Sequence, residues 1–138
     1  MLLTLDSSVI IASLLEKEQH HTICKKLMEQ ISNTEHAAVM PYTVLVEVVA
    51  AIKRRTFSEK LAERIGEDLQ NIGTIYFLNL SKYRANEAAQ IANKTNLKGM
   101  DAIVVQIAKE YGAILVTLDN DMVKTAQNIV KILPVENE

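Results

Sequence analysis

Short apolar runs alternate with longer amphipathic segments along the whole chain. The amphipathic segments carry apolar residues at helical spacing, as Ile23, Leu27 and Ile31 do. The short runs are almost wholly hydrophobic, which is typical of strands that are buried on both faces. Strands of this kind, separated by helices, form a parallel sheet with a helical layer on each side. The sequence therefore predicts an α/β protein, with strands at residues 2–5, 37–40, 75–78, 113–116 and 129–133.

The segment 43–52 is ambiguous by composition. Its four valines favour a strand, yet the segment lacks the strict alternation of a half-exposed strand. It also continues without a break into Ala50, Ala51 and Ile52, followed by basic residues. We interpret it as a helix.

The size and composition of the chain predict one folded domain over residues 1–138. Hydrophobic residues make up 49% of the chain and charged residues 23%, which excludes a disordered protein. Aromatic residues are only 4% and tryptophan is absent, so the core must be aliphatic. The single cysteine, Cys24, excludes an internal disulfide.

The hydrophobic segments also bear on the cellular location. No apolar run reaches the roughly 18 residues that a membrane-spanning helix needs. Asp6 interrupts the first apolar run and no basic segment precedes it, unlike a signal peptide. We expect a cytoplasmic protein without membrane contact. Its net charge of −2 disfavours a simple nucleic-acid-coating protein, but not an enzyme in which bound cations reverse the local charge.

Two acidic residues directly follow predicted strands. Asp6 ends the first run, and Asp119 comes just after the strand at 113–116, two residues beyond Thr117. Ligands of parallel α/β sheets bind beyond the C-terminal strand ends, where the strand order reverses. If the fourth strand lies beside the first, Asp6 and Asp119 face each other at that point.

Two further acids lie in apolar helical surroundings. Glu47 is flanked on both sides by valines, where a lone carboxylate needs a partner, a proton or a metal ion. Asp101 begins a strongly apolar helix, whose free backbone N–H groups and dipole favour an anion. Taken singly, most of these acids have ordinary explanations. Asp6 and Asp101 could be turn or cap residues, Asp119 a turn residue, and Asp121 a first-turn acid.

Three motifs, in this order and at this spacing, resemble the PIN-domain family and within it the VapC-like toxins. They are LTLDSSVIIASLL near the start, MPYTVLVEVVAAIKRR in the middle and NLKGMDAIVVQIAKEYGAILVTLDNDM near the end. The resemblance spans essentially the whole chain. It implies a three-layer α/β/α PIN-like fold with strand order 3-2-1-4-5. It also implies a Mg²⁺- or Mn²⁺-dependent ribonuclease, which would form a homodimer and be inhibited by an antitoxin protein that covers its acidic groove.

The resemblance implies an acidic site made of Asp6, Glu47, Asp101 and Asp119. Thr117 supplies the hydroxyl of its Thr-x-Asp element, and Ser8 is the small polar residue after the first acid. Asp121 matches an additional acid that many members carry. Our hypothesis is that Asp6 and Asp101 bind the metal directly, Asp119 and Glu47 hold water, and the hydroxyls of Thr117 and Ser8 orient these groups. The basic residues Lys53, Arg54, Arg55 and Lys98 then become possible contacts for RNA phosphates.

Three alternatives remain at this stage. A PIN-like fold could serve as a non-catalytic interaction module, or as a non-toxic nuclease in RNA processing. A receiver-like phosphoacceptor domain also gathers acids around magnesium. That chemistry needs an aspartate after the third strand, where this chain has Asn79.

Overall fold

The computed structural model describes residues 1–136, in which four strands and seven helices form. The strands are β1 (Leu2–Leu5), β2 (Ala37–Pro41), β3 (Ile75–Leu78) and β4 (Ile114–Val116). The helices are α1 (Ser7–Leu14), α2 (His21–Ser32), α3 (Tyr42–Thr56), α4 (Glu59–Gln70), α5 (Lys82–Lys94), α6 (Gly99–Tyr111) and α7 (Asn120–Ala126).

The four strands form one parallel sheet in the order β3-β2-β1-β4. Strand β1 pairs on one side with β2 and on the other with β4. The chain therefore moves outward from β1 to β3 and then crosses back, so the strand order reverses between β1 and β4. This confirms the predicted α/β fold and the order of the first four strands.

The fifth predicted strand, 129–133, is reduced to a single parallel bridge between Ile132 and Leu115. Two backbone hydrogen bonds hold it: Leu115 N donates to the Lys131 carbonyl, and Leu133 N donates to the Leu115 carbonyl, each at 2.9 Å. The segment occupies the expected fifth position, beside β4, but is too short to be a strand.

Helices cover both faces of the sheet. On β2, Met40 packs into the larger core together with Val44 and Val48 of α3, whereas its neighbour Val39 packs with Ile107 of α6. Consecutive strand residues point to opposite faces, so α3 and α6 lie on opposite sides of the sheet. The three-layer arrangement follows from this packing.

The core is aliphatic, as the composition predicts. Leu3, Leu5, Ile10, Ile52 and Leu115 are among its fully buried side chains, and none of the six aromatic residues is buried. The ambiguous segment after β2 is the helix α3, which ends at Phe57 with a left-handed backbone (φ 57°). Among residues 1–136, no helix is both long and apolar enough to cross a lipid bilayer.

Candidate functional site

The C-terminal ends of β1 and β4 lie side by side, and each is followed by an acid. Leu5 pairs with Val116, and the next backbone N–H, that of Asp6, donates to the Val116 carbonyl at 2.9 Å. Asp119 follows three residues beyond Val116 and is the N-cap of α7. The first and last acids of the pattern therefore meet at the point where the strand order reverses, the usual ligand position in such sheets.

The carboxylate of Asp6 is buried and is held by two hydroxyl groups. Only 6% of the residue is exposed, so its charge requires hydrogen-bond partners. Ser8 Oγ donates to Asp6 Oδ2 at 2.8 Å, and Thr117 Oγ1 donates to the same oxygen at 2.9 Å. These are the orienting contacts that the sequence interpretation expected of the two hydroxyls.

The same hydroxyls also accept hydrogen bonds from the loop after β4. Leu118 N donates to Ser8 Oγ at 3.2 Å, and Asp119 N donates to Thr117 Oγ1 at 3.1 Å. Asp119 Oδ1 in turn accepts from the backbone N–H groups of Asp121 and Met122, which caps α7. Asp6 and the Asp119 loop are thus joined in one hydrogen-bonded unit.

Glu47 projects from α3 toward this unit. Burial raises the pKa of its carboxyl above the ordinary 4.5, and the negative charges of Asp6 and Asp101 raise it further. A side-chain hydrogen bond with Ser7 opposes the rise. From the sequence, Ser7 or Ser8 was expected to cap α1, and Ser7 was not placed in the acidic site, although its position directly after Asp6 was a signal for it; the N-cap of α1 is Asp6.

Asp101 lies in the first turn of α6, where the helix dipole stabilises an anion. The pKa of its carboxyl is nevertheless raised, first by burial and then by the charges of Asp6 and Asp119. Lys98, the N-cap residue of α6, lowers this pKa. Each of the four acids therefore lies within electrostatic range of at least one other, although they come from four separate segments of the chain.

A groove of about 670 Å³ opens in front of three of these acids, Glu47, Asp101 and Asp119. The rest of its lining is apolar and made of small side chains, because α5 contributes alanines to it. Leu80, just beyond β3, and Met100 of α6 complete the wall, and both are exposed. The groove thus joins an acidic side to a smooth apolar side. The alanines at 85, 88, 89 and 92 predict a helix over residues 81–93, but the sequence does not predict its contact with the site.

The comparisons with known proteins agree with this architecture. The family model of the PIN domain matches residues 3–128. The chain belongs to the PIN domain family. No curated protein sequence matches it.

Solved structures of similar fold come from several bacteria. The VapC20 toxin of Mycobacterium tuberculosis, described as cleaving the sarcin-ricin loop, has a TM-score of 0.76 and 15% identity, covering 97% of this chain and 100% of that one. VapBC2 of Rickettsia felis, bound to a promoter DNA fragment, has a TM-score of 0.68 and 12% identity over 96% and 98% of the two chains. FitAcB of Neisseria gonorrhoeae has a TM-score of 0.67 and 17% identity over 97% of each chain. At these identities the likeness demonstrates a common fold.

Asp121 stands apart from the other acids of this PIN domain. It is exposed in the first turn of α7, and its contact with the site is made by its backbone N–H, which donates to Asp119. It does not line the groove. Its carboxylate is therefore less well placed to bind a metal ion than the other four carboxylates. Its role as a ligand stays a prediction.

The acids of the PIN domain gather without forming a closed metal cage. Within residues 1–136, no group of three or more His, Cys, Asp or Glu side chains is close enough to hold a metal ion directly. Burial and, after it, the charges of neighbouring acids raise the pKa values of Glu47 and Asp101, and the repulsion between these charges opposes closer approach. Of the basic residues, Lys98 lies near Asp101, whereas Arg55 forms a 2.8 Å ion pair with Glu18.

Proposed function

We propose that this PIN domain is a Mg²⁺- or Mn²⁺-dependent endoribonuclease, the toxin of a toxin–antitoxin pair. The observation that supports the proposal is that four acids from separate segments lie together where the strand order reverses: Asp6 is hydrogen-bonded to the Thr117 hydroxyl that also binds the Asp119 backbone, and Glu47, Asp101 and Asp119 line one groove. Their negative charges repel one another. A folded protein tolerates such repulsion where a cation offsets it. The family to which the chain belongs and the toxins that share its fold support this reading.

The donor set fits a hydrated divalent cation. Every candidate ligand is a carboxylate, and hard divalent ions prefer oxygen donors. Magnesium commonly keeps several waters and takes only one or two carboxylates from the protein. A loose arrangement of acids therefore suits it better than a cage of three direct ligands would.

When bound, the cation would polarise the scissile phosphate and lower the pKa of an attacking water. The protein must position its acids for this. Asp6 is suited to direct binding because Ser8 and Thr117 hold one of its oxygens and so fix the carboxylate. Asp101 is suited as the second ligand because the N-terminus of α6 stabilises its charge.

Glu47 and Asp119 would hold water molecules in the site by hydrogen bonds. The raised pKa of Glu47 makes it a better proton acceptor than an ordinary carboxylate, because proton transfer is most efficient when the pKa lies nearer the working pH. Asp119 has one oxygen committed to capping α7, which fixes its orientation beside the groove. Thr117 connects the two sides of the site.

The RNA substrate would enter through the groove, where Lys98 would contact a phosphate group beside Asp101. We further propose that the protein forms a homodimer and that an antitoxin protein restrains it. A toxin–antitoxin complex from Klebsiella pneumoniae that shares its fold supports the antitoxin as a partner.

The test is RNA cleavage by the purified protein, with structured and unstructured RNA, in Mn²⁺, Mg²⁺ or EDTA. We expect cleavage with either cation and none in EDTA. Asp101→Asn should lose more than the roughly 10–100-fold that follows removal of a metal ligand's supporting residue. Asp68→Asn, an exposed acid on α4, is the matched control and should cleave as the wild type. Activity that persists in EDTA or in Asp101→Asn would rule out the proposed site.

A further inference from the structure

The side chain of Arg84, in the first turn of α5, joins two segments that are far apart in the sequence. Its Nη1 donates to both the backbone carbonyl and the side-chain Oδ1 of Asn79, at 3.0 and 2.9 Å. Its Nε and Nη2 donate to the two carboxylate oxygens of Glu110, at 3.1 and 3.0 Å, and Nη2 also donates to the Tyr111 hydroxyl at 3.2 Å. Every N–H group of the guanidinium thus has an acceptor within the protein. We call this set of contacts the Arg84 bridge.

Glu110, at one end of the Arg84 bridge, is also fixed by its own helix. Gln106, one turn earlier on α6 and only 4% exposed, donates through Nε2 to Glu110 Oε1 at 3.0 Å. The hydrogen bonds from Arg84 lower the pKa of the Glu110 carboxyl, and the one from Gln106 adds to this, whereas burial opposes it. Glu110 is therefore charged at neutral pH. A bidentate pair of arginine and carboxylate has a defined geometry, so the bridge fixes orientation as well as distance.

At the other end, Leu80 lies between two residues that Arg84 holds. Asn79, before it, accepts from the guanidinium, and Ser81, after it, accepts from the backbone N–H of Arg84 at 3.1 Å. The side chain of Leu80 is 46% exposed and lines the groove that contains the acids. Arg84 therefore fixes the backbone on both sides of an apolar side chain that faces the proposed path of the substrate.

The Arg84 bridge connects Leu80 to the helix that carries one of the acids. Asp101 and Glu110 both lie on α6, about 13.5 Å apart along its axis. The middle of α6, including Val104, Val105 and Ala108, is buried in the larger core, so this helix is a firm support. The position of Leu80 relative to Asp101 is thus set through Arg84.

We propose that Arg84 is a positioning residue for the RNA substrate, because it holds Leu80 in place as an apolar contact for RNA in the groove. The inference rests on the proposed function. Arg84 does not bind the RNA itself, since its donors are used within the protein. A contact that is equally strong before and during cleavage affects KM and leaves kcat unchanged.

A lysine at this position distinguishes the bridge from a simple attraction between a cation and RNA. Lysine keeps the positive charge, but its compact ammonium group cannot bind a carboxylate in a bidentate manner and also reach Asn79. If the bridge matters, Arg84→Lys should behave as Arg84→Ala does. If only the charge matters, Arg84→Lys should behave as the wild type.

The experiment measures steady-state cleavage of one RNA by the full chain at saturating Mn²⁺. Arg84→Lys and Leu80→Ala should each raise KM roughly three- to tenfold with little change in kcat, because binding must then order the loop or loses an apolar contact. The double variant should raise KM no further than the larger single effect, since both substitutions act on the same contact. Arg64→Ala, which breaks an exposed ion pair on α4, is the matched control and should keep the wild-type KM.

A second control separates positioning from a general loss of stability. Ile31→Val trims a fully buried core residue and should lower the melting temperature while keeping the wild-type KM. A wild-type KM in Arg84→Lys, or additive effects of Arg84→Lys and Leu80→Ala, would overturn the role of Arg84 and leave the nuclease in place. A raised KM in Ile31→Val would also overturn it, because instability alone would then explain the effect. A wild type that cleaves no RNA would overturn the proposed function and this inference together.

Discussion

The hydroxyl of Thr117 donates a 2.9 Å hydrogen bond to Asp6 Oδ2, joining residues that are 111 positions apart in the chain. Thr117 Oγ1 also accepts from the backbone N–H of Asp119. One hydroxyl therefore orients the first acid of the site and the loop that carries the last. It acts through those groups and is a positioning residue.

Removing this hydroxyl should impair both cleavage and folding. Thr117→Val leaves Asp119 N without its acceptor and takes one donor from Asp6, so we expect cleavage to fall roughly 10–100-fold. The free energy of unfolding should fall by about 1–3 kcal/mol, because a buried polar group loses its partner. Thr117→Ser keeps the hydroxyl and should recover most of the activity. Cleavage rates and urea unfolding measure the two effects, and Thr117→Val with wild-type kinetics would contradict the role.

The burial of Asp101 and, after it, the repulsion from neighbouring acids predict a pH-dependent stability. Because the pKa of Asp101 is raised in the folded protein, the folded chain binds more protons than the unfolded chain just above the ordinary pKa of 3.8. The free energy of unfolding therefore falls as the pH rises through that window, and stays lower at pH 7. In metal-free buffer at pH 7, Asp101→Asn should melt about 2–4 °C above the wild type, since a half-buried, partly screened charge contributes on the order of 1 kcal/mol or less.

This prediction is controlled by repeating the melting measurement at a second pH and with a divalent cation added. The difference in melting temperature should shrink at pH 4, where the carboxyl of the wild type is more fully protonated. Adding Mn²⁺ should stabilise the wild type more than Asp101→Asn. An equal effect of Mn²⁺ on both proteins would argue against Asp101 as a ligand.

Substitutions of Asp119 and Asp121 should differ sharply in their effect on cleavage, although the two residues are only two positions apart. Asn is as good a helix cap as Asp, so Asp119→Asn preserves the start of α7 while removing the charge beside the groove. We expect a loss of cleavage with little change in stability. Asp121→Asn should stay close to the wild type, because its side chain is exposed and outside the groove. Steady-state cleavage of one RNA by both variants decides the point, and equal losses would bring Asp121 into the site.

Lys98 should affect both the binding of RNA and the pKa of Asp101. Lys98→Ala removes a charge that lowers the pKa of Asp101, so the acidic limb of the pH profile of cleavage should move to higher pH. It should also reduce the salt dependence of RNA binding by about one unit of slope. Arg54→Ala, on the last turn of α3 about 10 Å beyond Glu47, provides a comparison and should have the smaller effect. A Lys98→Ala protein with an unchanged pH profile would refute the coupling.

Much of the fold could be predicted because it is encoded locally. The strand at 75–78 follows from a short, wholly apolar run, and the helix α6 follows from apolar residues at helical spacing. The valine-rich segment 43–52 was correctly predicted as a helix, because its apolar residues do not alternate strictly with polar ones. The prediction of a fifth strand at 129–133 was wrong, because this segment pairs with β4 only through the single bridge between Ile132 and Leu115.

The sequence by itself determined the α/β alternation, the aliphatic core and the identity of the acids, since these depend on residue type and spacing. Only the tertiary structure decided which groups meet: that Ser7 approaches Glu47, that Asp121 lies outside the groove, and that Tyr42 stacks on Phe77. The physical reason is that periodicity specifies which face of an element is buried. Contacts between distant side chains depend on the crossover between β1 and β4 and on how each helix packs over the sheet.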